Sequence, residues 1–179
     1  MGRTSGGRAF RLTRFKKAGL LLALFGCLAV LYAVTPLFFN DETARSSWSE
    51  TTPALNITHI FEGEINNRGK PVGLHVVPKD RAHARIKKIL SGPNQAGVFT
   101  AVVEIYDPIE NAWKDKFSSF FPSDFSKKQI IKSILFALSN NMLSQGARWR
   151  GPSGHGFLIE GYHTQRGEVN TAYPLYVAD

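Results

Sequence analysis

The chain has 179 residues, with 22 lysines and arginines against 14 aspartates and glutamates, and a single cysteine. That length suits one globular domain or at most two, and a composition that is 43% hydrophobic and 20% charged excludes both a disordered tail and a polytopic membrane protein. One cysteine excludes a disulfide framework and a cysteine-based zinc site.

The net charge of +8 is concentrated at the start of the chain. Arg3, Arg8, Arg11, Arg14, Lys16 and Lys17 fall within residues 1–17 with no acid among them, which leaves the remainder at only +2. Overall basicity therefore signals membrane topology and not a generally cationic domain. Residues 18–39 (AGLLLALFGCLAVLYAVTPLFF) carry no charge, and at 1.5 Å per residue they span about 30 Å, the thickness of a hydrocarbon core. Because the basic residues lie on the N-terminal side of this run, residues 1–17 are expected to be a cytoplasmic head and everything after residue 39 to be extracytoplasmic. The run is long for a signal peptide and no A-x-A site follows it, so an uncleaved anchor is favoured over a cleaved signal and secretion. Cys27 reads as a small apolar residue of that helix. Residues 40–54 (NDETARSSWSETTPA) are polar and read as a linker. Residues 55–179 are then the working domain, long enough for a core of their own.

Within the domain, residues 55–64 open as a helix or a strand and stop at the turn signal Asn66-Asn67-Arg68-Gly69. Residues 82–90 (AHARIKKIL) read as a short basic helix stopped by Ser91-Gly92-Pro93. Residues 98–106 (VFTAVVEIY) are β-branched and aromatic, the pattern of a strand. Asp107-Pro108 begins a turn, and residues 112–121 return as the hairpin partner. Ser126 is placed to cap a helix, with Gln129 completing a capping box. Ile130, Ile131, Ile134, Leu135 and Leu138 follow at helical spacing, and Gln145-Gly146 is expected to close that helix. Residues 157–163 and 169–176 flank Thr164-Gln165-Arg166-Gly167 as a second hairpin. The fold class is α+β with antiparallel sheet.

Five histidines are the first candidates for chemistry: His59, His75, His83, His155 and His163. No H-E-x-x-H or close His/Asp cluster argues for a metal, and no G-x-S-x-G argues for a serine hydrolase. The pattern around the first two histidines is more informative. His59-Ile60-Phe61-Glu62-Gly63-Glu64 is followed, after a Gly/Asn turn, by Val72-Gly73-Leu74-His75, sixteen residues from the first histidine. Further blocks follow in order: the strand at 102–107 with a lysine-containing strand and Ser119-Phe120-Phe121-Pro122, then Ile159-Glu160-Gly161-Tyr162, then Thr171-Ala172-Tyr173-Pro174. Taken together these resemble the EndoU endoribonuclease family, in its bacterial branch, over nearly all of residues 55–177.

The resemblance implies a ribonuclease-toxin type of fold, the barnase–EndoU–colicin–RelE class, behind one transmembrane helix. It implies cleavage of single-stranded RNA, commonly at uridines, by attack of the ribose 2′-OH on its own phosphate to leave 2′,3′-cyclic phosphate and 5′-OH ends. Such chemistry asks for a base, an acid and a cation, and histidine suits the first two because it titrates near neutral pH. By carry-over His59 and His75 are the acid–base pair, with their roles unassigned. Lys114 or Lys116, two apart and so on one face of a strand, is the phosphate-stabilising cation, with Lys70 a distant third. Thr171 and Tyr173 contact the base and ribose, and Ser118 or Ser119 assists at the phosphate. Glu64 orients the histidine segment. The resemblance further implies no required cofactor, although some relatives are manganese-stimulated. It implies RNA and not DNA as substrate, because the 2′-OH is needed, and a cognate immunity protein as partner where the nuclease is a competition toxin. His83, His155 and His163 read as non-catalytic. His155 lies in a flexible GPSGHG loop, and Arg148 and Arg150 read either as phosphate ligands or as a solvated edge strand. Two other readings stay open: an anchored module of the same fold that binds RNA or a protein without cutting, and a phosphodiesterase acting on other nucleotides.

Overall fold

A computed structural model describes residues 1–2, 47–79, 81–144 and 146–179. The chain divides into Met1–Ala44 and Arg45–Asp179; the apolar run at 18–39 lies outside the described residues, and so does most of the basic head. Among the described residues no helix is long and apolar enough to cross a membrane.

The second unit begins ahead of residue 55. Residues 47–54, the end of the polar run, fold back on the chain: the Ser49 amide donates to the Leu55 carbonyl, and the Ile57 amide donates to that of Ser47. A π-helical turn follows at Thr58–Glu62 with Ile60 buried. A short hairpin then joins β1 (Glu64–Ile65) to β2 (Pro71–Val72). Its turn is held by Asn66, whose Oδ1 accepts from the amides of Arg68 and Lys70, an Asx device of the kind turn sequences favour.

The central sheet is antiparallel in the order β3 (Ala84–Ser91), β4 (Phe99–Asp107), β5 (Ala112–Phe120). The β4–β5 hairpin pairs without interruption from Phe99↔Phe120 to Asp107↔Ala112. At its turn the Asp107 carboxylate accepts from the amides of Ile109 and Glu110 and pairs with Lys114 at 2.7 Å. The segment expected to be a short helix, 82–90, is strand β3. Pairing to β4 along its whole length outweighs its mixed local propensity, as tertiary contacts commonly do.

Helix α1 (Lys127–Ser139) starts as expected: Ser126 accepts from the Gln129 amide while the Gln129 side chain accepts from the Ser126 amide. Ile130, Ser133, Ile134 and Ala137 form its buried stripe. It ends at Ser139, ahead of the Gln145-Gly146 stop read in the sequence. Asn140 closes it by donating from its side chain to the Phe136 carbonyl at 2.8 Å. A second antiparallel sheet follows in the order β6 (Arg148–Pro152), β7 (Leu158–His163), β8 (Val169–Pro174).

Two apolar clusters result. One gathers α1, Leu55, Ile60, Phe121, fully buried Trp149 and the second sheet. The other lies beneath the central sheet, where Phe99 and Phe120 stack at 4.7 Å and Leu74 closes the cluster from the loop after β2. Leu74 and its neighbour His75 therefore come from the segment that joins the two clusters, and the fold is α+β as the patterning indicates.

Candidate active site

The two histidines are brought together by a tight backbone approach. Gly73 and Leu74 both have positive φ, 71° and 61°, a conformation that is costly for leucine and tends to persist where the surroundings enforce it. With the chain bent in this way, the Leu74 amide donates to the His59 carbonyl at 2.9 Å and the His75 amide to the Ile60 carbonyl at 2.8 Å. From the other side, the His75 carbonyl accepts from the Phe121 amide at 2.9 Å. No side chain is tolerated at Gly73, because a Cβ there falls 1.9 Å from the His59 carbonyl oxygen. We expect Gly73→Ala to cost about 3 kcal/mol or more in urea unfolding, through backbone strain and the loss of this approach.

His59 is mostly buried, and its Nδ1 lies 3.0 Å from the Glu64 carboxylate. A carboxylate only accepts, so Nδ1 carries a proton in either charge state and Nε2 is the exchangeable position. Glu64 is thus placed to orient the ring. His75 is 8% exposed, and its Nδ1 lies 3.0 Å from the Ser119 carbonyl, which by the same reasoning keeps the proton on Nδ1 and leaves Nε2 free. Burial pushes the His75 pKa down to about 3, aided by the charges of Lys116 and His59 and opposed by the Ser119 hydrogen bond. His75 is therefore neutral at physiological pH.

The lysines separate clearly. Lys116 donates to the Gly73 carbonyl at 2.6 Å and approaches the Ser118 hydroxyl at 3.4 Å. Burial lowers its pKa to about 8, so it stays a cation at neutral pH beside both histidine segments. Lys114 points along the same face but is consumed by Asp107 at 2.7 Å, Glu110 at 2.8 Å and the Gly69 carbonyl at 2.9 Å. It staples the β4–β5 turn to the β1–β2 turn. Lys70 is exposed and outside the group. The Ser118 hydroxyl is buried, donates to the Leu74 carbonyl and lies 3.2 Å from His75 Nδ1.

A cavity of about 710 Å³ opens beside His75. Ser118, Ser119, Thr171 and Tyr173 line it, with Thr100, Phe117 and Tyr176 among its further walls. Thr171 and Tyr173 alternate on β8 and so share a face. The Tyr173 ring lies 5.3 Å from that of His75, tilted by 31°. All four binding residues read from the sequence thus meet His75 in one cleft, within the 300–1,000 Å³ typical of ligand sites. His59 and Lys116 are not among the residues lining that cavity, but both are close enough for their charges to act on His75.

Glu160 was not singled out in the sequence. It is buried and sits between Arg150 and Tyr173 in one cross-strand row. Its carboxylate accepts from the Tyr173 hydroxyl at 2.6 Å and from Arg148 and Arg150 at 2.6–2.9 Å. Burial pushes its pKa up, but these three donors outweigh burial and hold it below the usual range. Tyr173 is pushed up, by burial and by Glu160. Arg148 and Arg150 both pair with Glu160, so they are not simply a solvated edge. The turn at 164–167 pairs His163 with Val169, and a register shift between Tyr162 and His163 then puts residue 160 opposite 173, so the turn alone does not reveal the pair. The remaining histidines are occupied elsewhere. His83 bonds the Gly63 carbonyl, His163 bonds the Gly167 carbonyl, and His155 packs edge-on against Phe125 at 4.9 Å. Among the described residues no group of three or more His, Cys, Asp or Glu side chains is placed to hold a metal ion.

Comparison with known proteins adds three findings. Residues 54–176 match the family model described as bacterial EndoU nuclease. A Bacillus cereus protein named "Toxin" is 32% identical over 151 residues, which is 76% of this chain and 27% of the relative; the chain thus spans about a quarter of that protein's length. No solved structure matches the chain.

Proposed function

The chain belongs to the bacterial EndoU nuclease family, and on that premise we propose that it cuts single-stranded RNA at uridines by transphosphorylation. In this reading His75 Nε2 removes the 2′-OH proton and O2′ attacks the adjacent phosphorus. Lys116 offsets the charge gathering on the phosphoryl oxygens, the P–O5′ bond breaks, and His59 Nε2 delivers a proton to O5′. The products are a 2′,3′-cyclic phosphate and a free 5′-OH. The observation that carries this reading is the neutral, buried His75 beside a cationic Lys116 and against the Tyr173 ring in a cleft. A base must arrive unprotonated, and burial achieves that here. Once a phosphate anion binds beside it, His75's proton affinity rises, which improves it as a base at the moment of reaction. Thr171 and Tyr173 are proposed to hold the uracil edge and the base or ribose, as an aromatic platform serves single strands generally. Ser118 holds the Leu74–His75 segment to β5, and Ser119 supplies the carbonyl that fixes the His75 tautomer.

The relative named "Toxin" supports a role as a competition nuclease with a cognate immunity protein. The uncharged run at 18–39 behind a basic head supports attachment to a membrane with the nuclease outside. Full-length chain recovered with membranes, against soluble residues 45–179, tests that attachment.

The test of the activity uses residues 45–179 with a single-uridine RNA in EDTA. The expected result is one cut at the uridine with a 2′,3′-cyclic phosphate end, and an intact strand when that uridine is replaced by deoxyuridine. Cleavage only on adding manganese would overturn the metal-independent chemistry. No cleavage by the folded protein in either condition would favour a binding module, and equal cleavage of uridine-free RNA would favour a phosphodiesterase of different specificity.

A further inference from the structure

Beyond the residues assigned to the cleaved nucleotide, one part of the cleft is unexplained. Phe117 is 61% exposed and Leu90 48% exposed, yet both line the cavity that contains His75 and Tyr173. An isolated exposed apolar side chain needs no explanation; two large ones on the wall of a candidate RNA site are different. The pairing register puts Lys88, Val102 and Phe117 in one row across the central sheet, one step along from the row Ser91, Thr100 and Ser119. Directly paired residues share a face. A cation, an apolar floor and an aromatic ring therefore continue from the cleft along the sheet. Arg85 and Lys87 are tied to Glu104 and Asp115, whereas Lys88 belongs to no such ion pair among the described residues.

We propose that this ledge is a second nucleobase site: Phe117 and Leu90 receive the base next to the cleaved uridine, and Lys88 faces the strand's backbone. The ligand class is single-stranded RNA. Two observations support that occupant. The ledge is continuous with the cleft, and an exposed aromatic ring in one row with a lysine that has no ion pair among the described residues matches a stacked, negatively charged strand. The inference rests on the RNA-binding part of the proposed function but not on catalysis.

The test is therefore equilibrium binding of a non-cleavable strand, with deoxyuridine at the cut position, to residues 45–179. Three versions are compared: all bases present, an abasic ribose before the uridine, and an abasic ribose after it. For the wild type, one of the two abasic strands should bind about tenfold more weakly, the scale of one stacked base. Phe117→Ala should bind the complete strand more weakly by a similar factor and lose its discrimination, the abasic penalty falling to about twofold or less. Phe117 is largely exposed, and circular dichroism checks that the variant stays folded. A wild-type penalty below about twofold at both positions, or an undiminished penalty in Phe117→Ala, overturns the ledge. Cleavage of the matching all-ribose strand by the wild type is read separately. Its failure would sink the nuclease reading while leaving the binding comparison intact.

Discussion

Replacing His75 by alanine should lower kcat/KM on a uridine-containing RNA by about 10²–10⁴, the range expected for a positioned proton-transfer group. His59→Ala should fall in the same range, and the double variant little further, because the two act as a unit. The pH dependence separates this assignment from a merely structural one. With the His75 pKa lowered to about 3, the free enzyme keeps its base unprotonated down to about that pH, so His75 adds no inflection near 6.5 to kcat/KM. In the complex a bound phosphate raises its proton affinity, so the acid limb of kcat should lie at higher pH than that of kcat/KM. Coincident limbs would count against His75 as the base. The same burial carries a stability signature. An unfolded histidine takes up its proton near 6.5 and the folded His75 only near 3, so in between the unfolded state binds more protons and stability falls as pH falls. The loss over that window is of the order of 4 kcal/mol, and His75→Gln should flatten it in urea titrations at pH 7, 5 and 4.

The elements legible in the sequence were those whose own chemistry agrees with their environment. Strand β4 is β-branched and aromatic, and it is the central, most buried strand. The Ser126–Gln129 pair marks the start of α1, and the Ile130–Ala137 stripe is what its face buries. β3 failed for a specific reason. Its register shifts between Ile86 and Lys88 and again between Ile89 and Ser91, and these irregularities break the period-two alternation by which a strand is recognised. What remains, Ile86, Ile89 and Leu90, mimics helical spacing. Helix α1 ends earlier than Gly146 signals because Asn140 closes it through a local side-chain bond to the Phe136 carbonyl. In the site, the resemblance to the EndoU family pointed to His59, His75, Thr171 and Tyr173. Spacing is blind to what occupies a side chain, and so left Lys114 and Lys116 equivalent. Only the fold brings Asp107 and Glu110 to one and the Gly73 carbonyl to the other. Glu160 escaped for the converse reason: a buried carboxylate declares itself through its three donors, and these come from two neighbouring strands.

That lysine distinction yields the second large effect. Lys116→Ala should reduce kcat by about 10²–10³, the usual cost of removing one group aimed at transition-state charge, with a smaller change in KM because the charge it meets grows only as the phosphorane forms. Lys116→Arg should recover part of the loss, since the charge is restored in a different shape. Because burial lowers the Lys116 pKa to about 8 in the free enzyme, wild-type kcat/KM should decline as pH rises through about 8, where the cation is lost. The decline in kcat should lie at higher pH because the bound phosphate holds that proton, and in the arginine variant the decline in kcat/KM should move to higher pH. Lys114→Ala should behave oppositely. It releases Asp107, which is 2% exposed, and the staple to the Gly69 carbonyl, so the melting temperature should drop while the folded fraction retains kcat within a few-fold. Two lysines separated by one residue on the same strand then give one catalytic phenotype and one stability phenotype. If Lys114→Ala instead loses activity at full stability, the cation has been assigned to the wrong lysine.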